Sequence, residues 1–122
     1  MKASHPLLLV LASLGMSLAS SSDAGEFKRL TGEYRLAGEN FYDPPANEPS
    51  DTHIYFELRG ATAADLFAKM KVKAQTGVCG DPSHLTKRID QMQCTRSDGG
   101  KVHRCWFGVD IAKQKLVNGV VC

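Results

Sequence analysis

No apolar run in this 122-residue chain is long enough to cross a bilayer. The longest, Leu7 to Leu18, has about 12 residues, where a spanning helix needs about 20. One-sided charge is also missing: 15 basic residues against 13 acidic ones leave a formal +2. Binding to nucleic acid or to an anionic membrane wants a concentrated basic stripe, which this balance does not supply. Catalytic signatures are missing too, with no HExxH, no GxSxG and no glycine-rich phosphate loop. Neither a C-x-x-C redox pair nor the ligand spacing of a zinc site occurs. His53, His84 and His103 stand singly, so no metal and no cofactor is expected. Asp81, Asp90, Asp98 and Asp110 lie in or beside turns, where aspartate commonly bonds backbone.

What is present begins with the N-terminus. Lys2 precedes the apolar run, and serines and small residues follow it, the plan of a secretory signal peptide. Small residues at −3 and −1 allow cleavage before Gly25, which we prefer, or before Ser20. Removing residues 1–24 takes away one basic and one acidic residue and leaves about 100 residues, the size of one domain. The mature chain then has no transmembrane segment and is expected to be secreted or periplasmic. An even number of cysteines independently suits an oxidising compartment.

All four cysteines, Cys79, Cys94, Cys105 and Cys122, fall in the C-terminal third. Val102 to Ile111 alternates apolar and polar residues, the period of a strand with one buried face. Lys87 to Thr95 is a second strand candidate. The Gly99-Gly100 pair between them suits a tight hairpin turn and sets Cys94 opposite Cys105. A turn near Ala112 to Gly119 is expected to bring Val120 to Cys122 back beside the same strand. The favoured pairing is Cys79–Cys94 with Cys105–Cys122, because a two-residue loop puts Cys94 and Cys105 in strained hydrogen-bonded register. The runner-up is Cys94–Cys105 with Cys79–Cys122. Each bridge is worth about 3 kcal/mol on the chain-entropy model.

Upstream, Gly25 to Thr52 is loop-rich, with a short edge strand at Gly32 to Ala37 and three prolines between Asp43 and Asp51. His53 to Arg59 is a strand with Ile54, Phe56 and Leu58 on one side and Tyr55, Glu57 and Arg59 on the other. Thr62 reads as an N-cap, with Asp65 three residues on. Ala63, Leu66, Phe67 and Met70 then form one apolar helix face. Lys71 to Ala74 is a further short strand candidate. The fold class is α+β: a small disulfide-stapled domain whose antiparallel sheet carries one short helix on one face. Its parts are the signal peptide 1–24, the loop-rich segment 25–52 and the core 53–122. The helix is expected to cover Ile54, Phe56, Phe107 and Val109.

The alternation that turns Cys105 and Phe107 inward turns Arg104 and Trp106 outward. Trp106, Arg104, Tyr55 and Arg59 are therefore the candidate binding residues, since Trp, Tyr and Arg dominate binding hot spots. The competing arrangement has Phe27, Leu30, Tyr34, Phe41 and Tyr42 folding back to bury Trp106 as a second small core. The function expected is that of an exported binding or inhibitory protein without catalytic activity, recognising another protein or an envelope component. The alternatives are a small hydrolase with a dispersed carboxylate and histidine site, or a structural envelope protein.

Overall fold

A computed structural model describes residues 25–120 and 122, so the expected signal peptide lies outside the described residues. The elements are strands β1 (Gly32–Ala37) and β2 (His53–Arg59), helix α1 (Gly60–Lys69), and strands β3 (Gln75–Thr76), β4 (Leu85–Ile89), β5 (Met92–Ser97), β6 (Val102–Asp110) and β7 (Lys115–Val117). The strands form one antiparallel sheet in the order β1-β2-β6-β5-β4-β3. Strand β2 occupies one edge of β6 along most of its length. The other edge of β6 is shared, by β5 near its start and by β7 near its end. The α+β architecture expected from the sequence is the one observed.

Helix α1 follows β2 without a loop. Gly60 makes the elbow, with φ +56°, a left-handed conformation that costs glycine little. The helix thus begins before Thr62, the expected N-cap. Arg59 holds that position and offers no side-chain cap. The Thr62 hydroxyl instead accepts the Thr31 N–H at 2.9 Å, tying the approach to β1 onto the helix. At the other end, the Lys87 ammonium donates to the Phe67 and Met70 carbonyls at 2.8 and 3.0 Å. A cation there satisfies unpaired carbonyls and opposes the negative end of the helix dipole.

The core under the helix joins Leu58, Ala63, Phe67 and Met70 to Cys94 and Cys105. Of the four residues expected beneath the helix, Phe107 packs against this core, whereas Ile54, Phe56 and Val109 do not join it. Ten helical residues reach about 15 Å, whereas the nine residues of β6 run about 30 Å. Starting directly at the end of β2, the helix is spent over Leu58 and Cys105 before it reaches the far half of the sheet.

Three local expectations are corrected. The strand expected over Lys87 to Thr95 is two strands, β4 and β5, hinged at Asp90-Gln91. Asp90 adopts φ +50°, which aspartate tolerates better than most residues. Next, the short strand expected at Lys71 to Ala74 falls instead at Gln75–Thr76. Finally, the strand returning beside β6 is Lys115–Val117, not Val120 to Cys122.

That last shift overturns the favoured cysteine pairing. The bridges are Cys79–Cys122 and Cys94–Cys105. With β7 placed earlier, Cys122 lies past the sheet and reaches Cys79 rather than Cys105. The register placing Cys94 opposite Cys105 holds. The hairpin loop, however, has four residues, Asp98 to Lys101, closed by the Lys101 N–H on the Asp98 carbonyl at 3.1 Å. Widening the loop symmetrically leaves every partner in place but inverts which pairs are hydrogen-bonded. Cys94 and Cys105 become a close non-bonded pair, 4.0 Å between Cα atoms, and the objection to bridging them disappears.

Tryptic mapping without reduction tests this pairing, because cleavage after Arg96 and Lys101 separates Cys94 from Cys105. One linked peptide pair is expected to join Cys94 to Cys105 and another Cys79 to Cys122. Replacing both Cys79 and Cys122 by serine is expected to lower stability by about 4 kcal/mol in denaturant titration, the entropy cost of freeing a loop of 43 residues.

Candidate functional site

Beyond the reach of the helix, the helix-bearing face of the sheet is open and apolar. The register aligns Tyr34, Phe56 and Phe107 across β1, β2 and β6. Their rings form a row, with centroids 6.1 Å apart in the first pair and 4.8 Å in the stacked second pair. A parallel row follows, with Leu36, Ile54, Val109 and Leu116 on β1, β2, β6 and β7. Tyr34 is 69% exposed, Leu36 56% and Leu116 54%. Where this face meets the helix end, Leu66, Met70, Ile89, Met92, Phe107 and Leu116 line a depression of about 490 Å³. Lys69, Asp90 and Gln91 line it as well, so it carries both signs of charge.

The opposite face is built differently. Tyr55 is only 7% exposed. Its hydroxyl donates to the Gly38 carbonyl at 3.0 Å, and Phe41 packs edge-on against its ring. The Arg35 guanidinium lies 3.6 Å from the Phe41 ring centroid and donates to the Phe41 carbonyl at 2.8 Å. Burial, with Glu48 and Glu39 nearby, raises the Tyr55 hydroxyl above its ordinary pKa. Gly108, opposite Tyr55, makes room for the ring, since a Cβ there would sit 2.8 Å from it. The loop after β1 therefore seals this part of the face.

Trp106, Arg104, Tyr55 and Arg59 do share this second face, as the alternation required. Only three of them are accessible. Tyr55 is sealed beneath Phe41 and cannot offer its ring to a partner. Trp106 is half-buried, with depressions on either side. Arg59 donates to Glu57 at 3.0 Å and to Glu33 at 2.8 Å, and Arg104 lies 3.6 Å from the same Glu57 carboxylate. Folding back is partial: Phe41 comes in, but over Tyr55, while Phe27, Leu30, Tyr34 and Tyr42 stay exposed.

Titratable groups meet at two places. His53 and Asp110, both buried, approach to 3.6 Å. The Asp110 carboxylate accepts the Lys113 N–H at 2.9 Å and has the Lys113 ammonium at 3.5 Å. His53 shares a hydrogen bond of 2.9 Å with the Thr52 hydroxyl and stacks on Tyr55. Each group is thus engaged in closing the turn after β6 and the start of β2. The second place is Asp81, which accepts both the Ser83 N–H at 2.9 Å and its hydroxyl at 2.6 Å, with His84 at 3.2 Å. The serine hydroxyl points at the carboxylate rather than at the imidazole, and its hydrogen bonds hold that carboxyl below its ordinary pKa, which makes it a weak base. Among the described residues no group of three His, Cys, Asp or Glu side chains is placed to hold a metal ion.

The open apolar rows were not identified from sequence as a surface. Ile54, Phe56, Phe107 and Val109 are expected under the helix, whereas Tyr34 and Leu36 fall in an expected edge strand of unassigned facing and Leu116 in the expected turn near Ala112 to Gly119. The signal available was the ratio of lengths: a helix of about two turns, as read, against strands of seven to nine residues.

The backbone hydrogen bond from Lys113 is the main reason that the Asp110 carboxyl is held below its ordinary value of 3.8, and Lys113 and His53 add to it. The ionised form therefore contributes stability at neutral pH that is lost as pH falls below that value. Thermal melts between neutral pH and about pH 3 are expected to show a smaller acid loss for Asp110→Asn than for the unmodified chain.

No family model, no curated protein and no solved structure matches the chain, so its surfaces carry the functional argument.

Proposed function

We propose that this chain is a small exported binding protein without catalytic activity, and that it recognises another protein through the open half of its helix-bearing sheet face. The observation that carries this reading is the pair of apolar rows from Tyr34 to Phe107 and from Leu36 to Leu116. A chain of this size has little apolar surface to spare, and contiguous exposed patches of this kind mark interaction sites. The lining supports a protein partner over a lipid surface, because Lys69 and Asp90 mix charges where a bilayer would favour cations alone. Two disulfides support export to an oxidising compartment. Among the described residues no helix is long and apolar enough to cross a membrane.

The bridged sheet also favours recognition over chemistry. A rigid surface loses less entropy on docking, so more of its apolar contact appears as affinity. The partly accessible Trp106, Arg104 and Arg59 on the opposite face are the competing surface, and the same experiment separates the two.

The test uses the oxidised mature domain as bait against culture-fluid and envelope extract, beside Leu116→Asp and Trp106→Ala variants. The partner captured by the unmodified domain is expected to be retained by Trp106→Ala and lost by Leu116→Asp, with affinity reduced by about 2 kcal/mol or more. Loss with Trp106→Ala alone moves the site to the opposite face. Equal capture by all three refutes both surfaces.

A further inference from the structure

Strand β1 ends the sheet on one side, and among the described residues nothing pairs with its outer edge. All but the last of its residues are exposed. The direction of its free backbone groups follows from one hydrogen bond. The Arg59 N–H reaches the Thr31 carbonyl at 3.0 Å, so Thr31, Glu33 and Arg35 turn their backbone groups toward β2. By the alternation of an antiparallel ladder, Gly32, Tyr34 and Leu36 turn theirs outward. The opposite end of the sheet offers much less, since β3 has only two residues.

We propose that a second copy of this chain pairs with this edge, β1 against β1, antiparallel and centred on Tyr34. In that register Tyr34 faces Tyr34 of the second copy and Gly32 faces Leu36, so every outward backbone group on β1 finds a partner. Glu33 faces Arg35 of the second copy, and Arg35 faces Glu33. These are non-bonded positions of the ladder, where opposing side chains lie closest. The neighbouring same-face register, centred on Arg35, would set the two arginines against each other and satisfy fewer backbone groups. The charges on β1 are therefore self-complementary in one register only.

The proposal rests on the apolar face being the recognition surface, and it extends that surface. Pairing across β1 joins the two aromatic rows into one floor running from Phe107 of one copy to Phe107 of the other. The two helices, each seated over β5 and β6, flank that floor at a distance.

Sedimentation equilibrium on the oxidised mature domain tests the proposal with four proteins. The unmodified chain is expected to form dimers. Arg35→Glu and Glu33→Arg each replace two opposite-charge contacts with two like-charge contacts, and each is expected to weaken the dimer about 10- to 100-fold. An equimolar mixture of the two single variants is expected to recover dimers, because each chain then presents the charges the other needs. The double variant Glu33→Arg/Arg35→Glu is expected to dimerise by itself. Both recoveries occur although the contacts of Glu33 with Arg59 and of Arg35 with Phe41 stay lost, so damage within one chain cannot produce them. A chain that remains monomeric at its solubility limit overturns the proposal. So does a dimer that neither single variant weakens, or a mixture that fails to recover. The partner-capture comparison at Leu116 is read separately, since that residue lies on the far strand of the open face.

Discussion

The fold depends on the bridge between Cys94 and Cys105. Both residues are fully buried, and both belong to the core beneath the helix. The bridge links neighbouring strands at the point where Leu58, Ala63 and Phe67 converge, so it serves as cross-link and core filling together. A slip of one residue between β5 and β6 would send the facing side chains to the wrong side of the sheet, and the bridge forbids it. Once β5 and β6 are fixed, Leu58 has a partner in Cys105 and the elbow at Gly60 delivers the helix onto the pair. The Cys105 sulfur lies 3.6 Å from the Ala63 carbonyl, which shows how closely the helix is drawn down.

The two faces of the sheet are closed by different chemistry. On the helix side, closure is apolar and incomplete. On the other side it is polar and aromatic, with His53, Tyr55, Gln93, Thr86 and Asp110 all buried. Groups of that kind are costly to bury unpaired, and among the described residues no buried side-chain polar atom lacks a partner. Gln93 illustrates the arrangement: Arg88 donates to its carbonyl at 2.6 Å, and the same guanidinium donates to the Cys122 carbonyl. The C-terminal end is thereby held by a disulfide and a charged hydrogen bond at once. Coil thus covers the second face, and helix α1 covers part of the first.

Much of this was legible in the sequence where a short-range pattern decides the outcome. Alternation along His53 to Arg59 and Val102 to Ile111 gave the facing of the residues on the two central strands, but not that of β1, whose Tyr34 was weighed as cover for Trp106 on the opposite face. The hairpin register at Gly99-Gly100 was equally readable. What escaped depends on geometry that such patterns do not carry. Asp90-Gln91 lacks the glycine that usually marks a tight turn, so β4 and β5 merged into one strand. The cysteine pairing turned on whether a loop had two residues or four, and on where the chain left the sheet after Val117. Tyr55 was placed on the right face, but its burial depends on a loop more than ten residues away in sequence. The open apolar rows escaped for a related reason: periodicity tells which way a side chain points, not whether anything lies above it.

The tether from Cys79 to Cys122 has a mechanical consequence. Tension applied between residues 25 and 122 enters at the N-terminal side and passes from Cys79 directly to Cys122 through the sulfurs. Strands β4 to β7 lie inside the closed loop and carry none of the load along their backbone. Only the portion before Cys79 can be drawn out, and β1, held on one side alone, is the first strand in the line of pull. Held at residues 25 and 122, this segment would therefore lengthen by a limited, fixed amount and keep the bridged half of its sheet intact.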